Sequence, residues 1–421
     1  MRYTIAKELA GALLRPLASL AGSSVAPGSP QGWSRLVAEQ CPDGEADKVS
    51  LTVATTEVAV AVTAELPASV EEAGEAVIET ALFARALPLE QGVSVEVSAT
   101  DRVVSVGAVL THPALREVPV GLTPVAVPQD AVFFGTFQTK DFVAAVRAAA
   151  KIPPSGTLGR DGVQLKVSSE DDAPALLKVV ATDSYTLSVE HLTPADPPGP
   201  GAEGLGVVVP RKTIKAAAAL MAQPMGAAVR LYAHRGNLYL AGGSITARIR
   251  GIQGAPDYAS MVTAMEVEAE AETSLCPKAW AKICAAVAAT GEYLFYQVTP
   301  SEVRVSSAGG VGACRLEGGK IDCVVPVSAV RRVTGAGQVA LNAAFASNAY
   351  AIATTGASSS SGRLPEEEED RADKEAAAEQ PLRITLGPLK RGTAAIFSSA
   401  ATPARKVYLA GIVLKTAPEE A

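Results

Sequence analysis

The sequence has few of the residues that mark membrane, secreted and metal-binding proteins. Aromatic residues make up only 5% of its 421 residues, so any core must be built from valine, leucine, isoleucine and alanine. No apolar run reaches the roughly eighteen residues of a membrane span, so we expect no membrane helix. The first residues lack the apolar stretch of a secretory signal, and Glu8 interrupts them. These absences predict a cytoplasmic protein.

Cysteine and histidine are scarce as well. The cysteines are odd in number and show no CxxC spacing, which predicts reduced thiols rather than disulfides or a metal site. They are Cys41, Cys276, Cys284, Cys314 and Cys323. The histidines His112, His191 and His234 have no cysteine or aspartate at the sequence spacing of a metal site or a catalytic triad. We therefore expect neither a metal ion nor a cofactor.

Catalytic motifs are also missing. Residues 199–204 match GxGxxG, but a proline-rich segment precedes them and a strand-like run follows, whereas a dinucleotide site needs a strand before and a helix after. Asp183 follows a strand-like run and could be a catalytic carboxylate, but we expect it to accept hydrogen bonds from turn amides. The sequence therefore predicts no enzyme activity, and an enzyme with an unrecognised site is kept as an alternative.

Helix-like and strand-like segments repeat three times along the chain, which is long enough for three domains of ordinary size. The first helix of each repeat is expected at residues 5–20, 139–151 and 277–289, and the second at 70–87, 211–222 and 342–353. Strand-like runs include residues 48–54, 176–181 and 302–306. We place the domains at residues 1–128, 129–262 and 263–421.

Two segments have the composition of surface regions. Residues 194–206 are rich in proline and glycine and are predicted to form a surface connection. Residues 357–380 contain a serine run and then an acidic run, which cannot bury apolar area, so we expect a disordered acidic insertion.

Basic residues are concentrated on predicted helices, although the net charge is −7. Evenly spread, that charge would oppose binding to nucleic acid, which depends on phosphate neutralisation. The helix at 139–151 contains a single acid, Asp141, and those at 211–222 and 277–289 contain none. Their bases are Lys140, Arg147, Lys151, Arg211, Lys212, Lys215, Lys278 and Lys282. The predicted helix at 70–87 differs, because Glu71, Glu75 and Glu79 would share one of its faces.

Three short segments resemble one protein family. Residues 180–187 read VATDSYTL, residues 207–212 read VVVPRK and residues 254–258 read GAPDY. In this order and spacing they resemble the middle domain of the bacterial DNA polymerase III β subunit, the sliding clamp, whose patterns are close to VATDGHRLA, VPRK and GxFPDY. The resemblance implies an α+β fold of three similar clamp domains. Each domain would have two helices packed on antiparallel sheets, and a head-to-tail homodimer would form a ring.

The resemblance implies a protein that does no chemistry but encircles double-stranded DNA. The eight helix bases would face the duplex and contact phosphates, so binding would be independent of sequence. The implied partners are the replicative DNA polymerase subunit, the clamp loader and other proteins with short linear motifs. At the joint between two copies the resemblance places the strand around Val109 and the helix end around Ala288 and Ala289.

The resemblance also implies an apolar cleft for partner peptides between the middle and last domains. It assigns to this cleft Thr182, Ser184, Tyr185, Thr186, Leu187, Pro256, Ser260, Met261, Asn342, Phe345, Gly411, Ile412 and Val413. Residues 184–186 replace the family's Gly-His-Arg turn, and residues 411–413 replace its Met-Pro-Met ending. These departures predict an altered motif preference.

Two questions stay open at this point. The departures fit a divergent paralogue as well as a phage or plasmid clamp, and composition does not decide between them. A secreted or surface β-rich binding module with no DNA role is the alternative from another class. That alternative requires a secretion signal and no basic helices, and the sequence shows the opposite on both counts.

Overall fold

Antiparallel strands make up most of the described structure. A computed structural model of the chain describes residues 1–21, 29–41, 46–55, 60–100, 103–108, 110–113, 115, 117–152, 161–169, 174–183, 186–222, 227–259, 261, 271–275, 293–299, 302–307, 310–317, 320–326, 338–342, 382–389, 392–399 and 402–410. These residues fall into two compact units. Unit 1 contains residues 1–143, 166–177 and 193–253, and unit 2 contains residues 144–165, 178–192 and 254–421.

The helices follow the spacing of their apolar residues. They are α1 (Lys7–Ala21), α2 (Thr80–Ala86), α3 (Thr139–Ala149) and α4 (Arg211–Met221). In α4 the buried residues Ile214, Ala217, Ala218 and Met221 recur at intervals of three and four and so form one apolar face. A 3-10 turn at Leu87–Leu89 follows α2, where Pro88 has no N–H with which to continue an α-helix.

The strands are short, and many of them pair with the strand that is next in sequence. They are β1 (Arg2–Ala6), β2 (Trp33–Glu39), β3 (Lys48–Ala54), β4 (Val60–Glu72), β5 (Gly74–Glu79), β6 (Ser94–Ala99), β7 (Val103–Val106), β8 (Leu110–Pro113), β9 (Val132–Gln138), β10 (Gly162–Ser168), β11 (Leu176–Thr182), β12 (Thr186–Leu192), β13 (Gly206–Pro210), β14 (Ala228–His234), β15 (Asn237–Gly242), β16 (Ile245–Arg250), β17 (Ala271–Leu275), β18 (Tyr293–Thr299), β19 (Glu302–Ser307), β20 (Gly310–Glu317), β21 (Lys320–Pro326), β22 (Gln338–Asn342), β23 (Leu382–Leu389), β24 (Gly392–Ser399) and β25 (Thr402–Ala410).

Unit 1 is organised around one long antiparallel sheet. Its strand order is β8-β7-β6-β1-β4-β16-β15-β14-β9, and β3, β2 and β5 branch from β4. The pairing of β4 with β16 places Ala61 opposite Arg248 and Val62 opposite Ala247, so strands that are distant in sequence become neighbours. Helix α1 packs against α2 and α4, and α4 packs against β15 and β16. The core of this unit is mostly aliphatic, but it also contains the fully buried aromatic residues Tyr3, Phe83, Phe134, Phe137 and Phe142, which the low aromatic content did not predict.

Residues 193–200 cover the edge of that sheet at β9. The Ala195 amide donates to the Thr136 carbonyl at 2.7 Å, and the Gly199 amide donates to the Phe133 carbonyl at 2.9 Å. Gly135 has φ +125°, and a Cβ there would lie 3.0 Å from Pro194 Cβ, so glycine permits this close approach. The segment predicted to be a plain surface connection thus protects a sheet edge whose amides and carbonyls would otherwise be open to pairing.

Unit 2 contains strands from distant parts of the chain. Strands β12, β25, β24, β23 and β17 are hydrogen-bonded neighbours in that order, and β21, β20, β19, β18 and β22 form a second antiparallel sheet. In the β12–β25 pair, Leu187 is opposite Tyr408 and Glu190 is opposite Arg405. This pairing is the counterpart in unit 2 of the β4–β16 pairing in unit 1.

One predicted helix is wrong. Residues 70–87 form the end of β4, the strand β5 and only then the short helix α2. Glu75 pairs with β2 and accepts hydrogen bonds from the Arg35 guanidinium at 2.9 and 2.8 Å. The four-residue spacing of the glutamates reflects strand ends and a turn at Gly74, because the buried β-branched residues Val77 and Ile78 favour a strand there.

Other helix and strand predictions have different outcomes. The run at 48–54 coincides with β3, and the helices predicted at 5–20, 139–151 and 211–222 correspond to α1, α3 and α4. The helix predicted at 277–289 and the acidic insertion at 357–380 lie outside the described residues, as does most of the helix predicted at 342–353. The division into three domains stays a prediction.

Candidate functional site

The described bases of α3 and α4 are mostly exposed. Lys140 and Arg147 lie on the exposed face of α3, opposite the buried residues Phe142 and Val146, and Lys151 is exposed in the turn that follows. On α4, Lys212 and Lys215 are exposed and lie three residues apart, so they project from the same face. Because apolar and basic positions alternate along these helices, the apolar side chains are buried and these bases are exposed to solvent.

Arg211 does not share this exposure. It is 6% exposed, although it was predicted to face the duplex together with Lys215. Arg211 is the first residue of α4 and lies next to the apolar face that contains Ile214 and Ala218, so its side chain packs into the protein. We therefore leave Arg211 out of the exposed basic set. Lys278 and Lys282 lie outside the described residues.

The first base of α1 is engaged within unit 1. Lys7 Nζ donates to the carbonyl of Glu90 and, at 3.3 Å, to the carbonyl of Pro88. These carbonyls lie at the end of the 3-10 turn, where peptide oxygens lack helical partners. Lys7 is thus a structural residue that fixes the start of α1 against this turn.

The turn between β11 and β12 has a defined hydrogen-bond pattern. The Thr186 amide donates to Asp183 Oδ1 at 2.6 Å, and Thr182 Oγ1 donates to the Thr186 carbonyl at 2.8 Å. Asp183 is 6% exposed. Its carboxylate therefore fixes the turn backbone, which confirms the structural role predicted for it.

The structure places one predicted cleft segment beside the strand that precedes another. Because β12 pairs with β25, Thr186 lies opposite Leu409 and Leu187 lies opposite Tyr408. Thr182, Thr186 and Leu187 are all buried, at no more than 3% exposure. Segments more than two hundred residues apart in sequence therefore lie side by side in unit 2.

A buried ion pair holds this pairing. Arg405 Nε donates to Glu190 Oε2 at 2.8 Å, and Arg405 Nη2 donates to Glu190 Oε1 at 3.0 Å. The Arg405 side chain is fully buried and that of Glu190 is 11% exposed. Sequence reasoning missed this pair. The available signal was Glu190, the single carboxylate of β12, because a charge has to be paired when it is buried.

A third predicted cleft segment is anchored to β10. The Ala259 amide donates to Gln164 Oε1 at 2.8 Å, and Tyr258 is fully buried. Pro256 and Met261 beside them are half-buried. Asn342 is the last residue of β22. The remaining predicted cleft residues, which are Ser184, Tyr185, Ser260, Phe345, Gly411, Ile412 and Val413, lie outside the described residues, as do Val109, Ala288 and Ala289 of the predicted joint.

Two other features are absent from the residues that the structure describes. No cluster of three or more histidine, cysteine, aspartate or glutamate side chains that could hold a metal ion occurs among them. No helix among them is both long and apolar enough to cross a membrane. His234 Nε2 lies 3.2 Å from Asp130 Oδ2, a contact between residues far apart in sequence that sequence spacing did not reveal.

Comparisons with known proteins give a match at the level of structure. No protein-family model matches the sequence, and no curated protein matches it. The DNA polymerase sliding clamp from Caulobacter crescentus is 17% identical with a TM-score of 0.70, and the alignment covers 98% of this chain and 100% of that one. The sliding clamp from Pseudomonas aeruginosa, bound to griselimycin, is 14% identical with a TM-score of 0.69 and the same coverage.

A third solved structure is the Helicobacter pylori β clamp bound to a DNA ligase peptide. It is 12% identical with a TM-score of 0.69, and the alignment covers 98% of this chain and 100% of that one. The chain therefore has the fold of bacterial DNA polymerase III β sliding clamps at low sequence identity. The α+β clamp fold predicted from the three motifs is confirmed.

Proposed function

We propose that this chain, which has the fold of bacterial sliding clamps, is itself a processivity clamp. Two copies would close head to tail into a ring around duplex DNA in the cytoplasm and tether the replicative polymerase and other proteins to it. The observation that carries the proposal is the fold match over 98% of the chain and the full length of clamp chains. The proposed role is topological and requires no catalytic group.

The charge distribution supports the DNA part of the proposal. Lys140, Arg147, Lys151, Lys212 and Lys215 are exposed, although the chain as a whole has more acids than bases. Contacts from such side chains to phosphates are long-range and independent of base sequence. A ring that binds in this way would hold DNA weakly by contact and firmly by enclosure. Lys278 and Lys282 extend the proposed set by sequence.

The cleft segments support the partner part of the proposal. Thr186 and Leu187 lie beside β25, and Thr182 donates to the Thr186 carbonyl. Pro256 and Met261 lie in a segment anchored by Gln164. A short apolar peptide bound in a preformed groove depends on a few buried anchors. We propose that these residues and the other predicted cleft residues form the site for linear motifs of the polymerase, the clamp loader and further partners.

Retention on circular DNA tests the proposed function. The purified chain is loaded onto a nicked circle, free protein is removed, and bound protein is measured before and after the circle is linearised. A closed ring should stay on the circle and leave the linear molecule. Equal retention on both forms would show binding by contact, and the clamp proposal would fall. Native mass spectrometry of the same sample should give the mass of a dimer.

A further inference from the structure

One face of the sheet in unit 1 is basic and aromatic, and the proposed clamp function does not use it. Between Glu203 and Asp257 the sequence has no acidic residue but seven lysines and arginines. Three of these bases are in helix α4, where Arg211 is buried and Lys212 and Lys215 are exposed, and four are in or beside β14, β15 and β16. In a chain of net charge −7, this stretch is a local reversal of charge.

Strand register places these side chains on one face. Arg230, Tyr232 and His234 alternate along β14 with the buried residues Val229, Leu231 and Ala233. Across the sheet Tyr232 lies opposite Phe133 on β9 and Tyr239 on β15, and Tyr239 lies opposite Arg248 on β16. Arg250 lies opposite Asn237, which is opposite His234. Directly opposed residues share a face.

This face, which we call the outer face, consists of Phe133, Arg230, Tyr232, Tyr239, Arg248 and Arg250. Arg230 and Arg250 are exposed, and Phe133, Tyr232 and Arg248 are half-exposed. The rings of Phe133 and Tyr232 are 5.2 Å apart at a 45° tilt. The structure shows no ion pair between these three arginines and any described carboxylate. Their charges are therefore open to a ligand.

The segment between Val125 and Asp130 limits how much of the outer face is exposed. The Val125 amide donates to Thr63 Oγ1 at 2.8 Å on β4, and Asp130 contacts His234 on β14. Residues 126–129 therefore pass between these two anchors over β16 and β15. Tyr239 on β15 is only 6% exposed. The aromatic surface left for a ligand is that of Phe133 and Tyr232, beside Arg230.

We propose that the outer face binds single-stranded DNA. Arginines unpaired with carboxylates suit phosphates, and an exposed aromatic pair on a sheet offers a stacking surface for bases that are free of a duplex. Paired bases are stacked inside the helix and cannot use the rings in this way. The choice of DNA over RNA rests on the proposed clamp function, which places the protein on DNA; the charge and ring geometry stand without it.

Binding to a labelled oligothymidylate of about 12 nucleotides, followed by fluorescence anisotropy, tests the proposal. Arg230→Gln with Arg250→Gln should weaken binding about tenfold at low salt and reduce the slope of log affinity against log salt by about 1.4, since each phosphate contact contributes about 0.7. Tyr232→Leu should weaken binding about tenfold without changing that slope, because it removes stacking and keeps the charge.

A matched control removes the same charge elsewhere. Arg85 at the end of α2 and Lys406 in β25 are exposed, and Arg85→Gln with Lys406→Gln should leave oligonucleotide affinity unchanged. Equal affinity of the wild type and all variants would overturn the proposal. Binding of a duplex of the same length as tightly as the single strand would overturn it as well, since the rings would then contribute nothing. Tighter binding of an RNA strand or of polyglutamate than of single-stranded DNA would identify a different ligand and would also overturn the proposal.

The two proposals can fail separately. The outer-face variants should keep wild-type retention on the nicked circle, which also shows that they are folded. If the wild type is not retained on the circle but still binds the oligonucleotide, the proposed clamp function is refuted and the proposed DNA site on the outer face is kept. If the wild type is retained on the circle but the variants bind the oligonucleotide as the wild type does, the proposed DNA site on the outer face is refuted and the proposed clamp function is kept.

Discussion

Two antiparallel strand pairs join distant parts of the chain, one in each unit, and they are built from different chemistry. The apolar joint pairs β4 with β16, and its inward residues, such as Val62 and Ile249, are fully buried aliphatics. The ion-paired joint pairs β12 with β25 through the buried contact of Glu190 with Arg405. The same architectural task is thus done by hydrophobic burial alone in one unit and by hydrophobic burial together with a buried charge pair in the other.

The difference predicts different responses to damage. An apolar joint loses stability in proportion to the volume removed, because neighbouring side chains relax only partly into the cavity. A buried ion pair fails in one step, because removing one partner leaves the other charge desolvated and alone. A change of a single residue should therefore separate the two joints clearly.

Breaking the ion pair should have the largest effect. Arg405→Met leaves the Glu190 carboxylate buried without its guanidinium, and we expect a loss of about 3–5 kcal/mol in the free energy of unfolding. The two tryptophans of the chain, Trp33 in unit 1 and Trp280 in the range of unit 2, allow each unit to be followed. Denaturation of the Trp33→Phe background, read by Trp280, should show the loss.

The matched control for this prediction removes both charges. Glu190→Leu with Arg405→Met should restore stability to wild type or above, since well-packed apolar residues of similar volume often replace a buried pair without cost. If the double variant is as unstable as Arg405→Met alone, packing and not charge holds the ion-paired joint. The contrast between the two joints would then disappear.

Truncation tests the apolar joint. Ile249 is fully buried on β16, and Ile249→Ala should cost about 3 kcal/mol through lost burial and a residual cavity. Urea denaturation read by Trp33, in a Trp280→Phe background, measures the effect on unit 1. Ile249→Val should cost about 1 kcal/mol on the same assay. A similar loss for both variants would contradict a volume-dependent joint.

A polar contact at the end of the apolar joint should contribute less. Thr63 Oγ1 accepts from the Val125 amide at 2.8 Å and lies 3.0 Å from Thr52 Oγ1. Thr63→Val keeps the shape but leaves the Val125 amide without this acceptor, so we expect a loss of about 2 kcal/mol. Amide hydrogen exchange at Val125 should accelerate in the variant. Unchanged exchange there would show that water replaces the threonine at no cost.

The smallest effect is expected at Tyr3, which lies on β1 beside β4. Its hydroxyl is buried and has no hydrogen-bond partner among the described residues, so Tyr3→Phe should stabilise unit 1 by about 1 kcal/mol. Burial also raises the pKa of Tyr3 above its ordinary value of 10.0. In the unfolded chain Tyr3 ionises first, so its contribution is constant below about pH 10 and declines as the pH rises further.

The alkaline behaviour supplies the check on Tyr3. Wild-type stability, from urea midpoints between neutral pH and about pH 11, should fall more steeply than that of Tyr3→Phe. Parallel curves would show that Tyr3 titrates normally in the folded protein. Because Tyr3 belongs to unit 1, the difference between the wild type and Tyr3→Phe should appear in the transition read by Trp33.

Local chemistry was well predicted from the sequence. The apolar spacing in 211–222 predicted α4 to within a residue, and the position of Asp183 after a strand predicted its role in the turn. The motif at 180–187, together with the two that follow it, was sufficient for the clamp fold. Each of these depends on neighbours within a few residues, which a sequence displays directly.

Long-range partners were not predicted. The helix predicted at 70–87, with Glu71, Glu75 and Glu79 on one face, rested on local spacing, whereas the partner of Glu75, Arg35, lies forty residues away. The Glu190–Arg405 pair and the burial of Arg211 likewise depend on which elements pack together. Of the eight helix bases predicted to face the duplex, five are exposed in the structure. The peptide cleft and the contact of these bases with DNA stay predictions.

The ion-paired joint can form only after a delay during synthesis, because β25 is made long after β12. Glu190 and Arg405 are 215 residues apart. At about 5–20 residues per second, a ribosome needs on the order of ten to forty seconds to deliver β25 after β12. Throughout that interval one edge of β12 lacks its partner strand β25, and Glu190 lacks its ion-pair partner Arg405. Chaperone occupancy of stalled nascent chains should therefore persist until the last strand has left the exit tunnel.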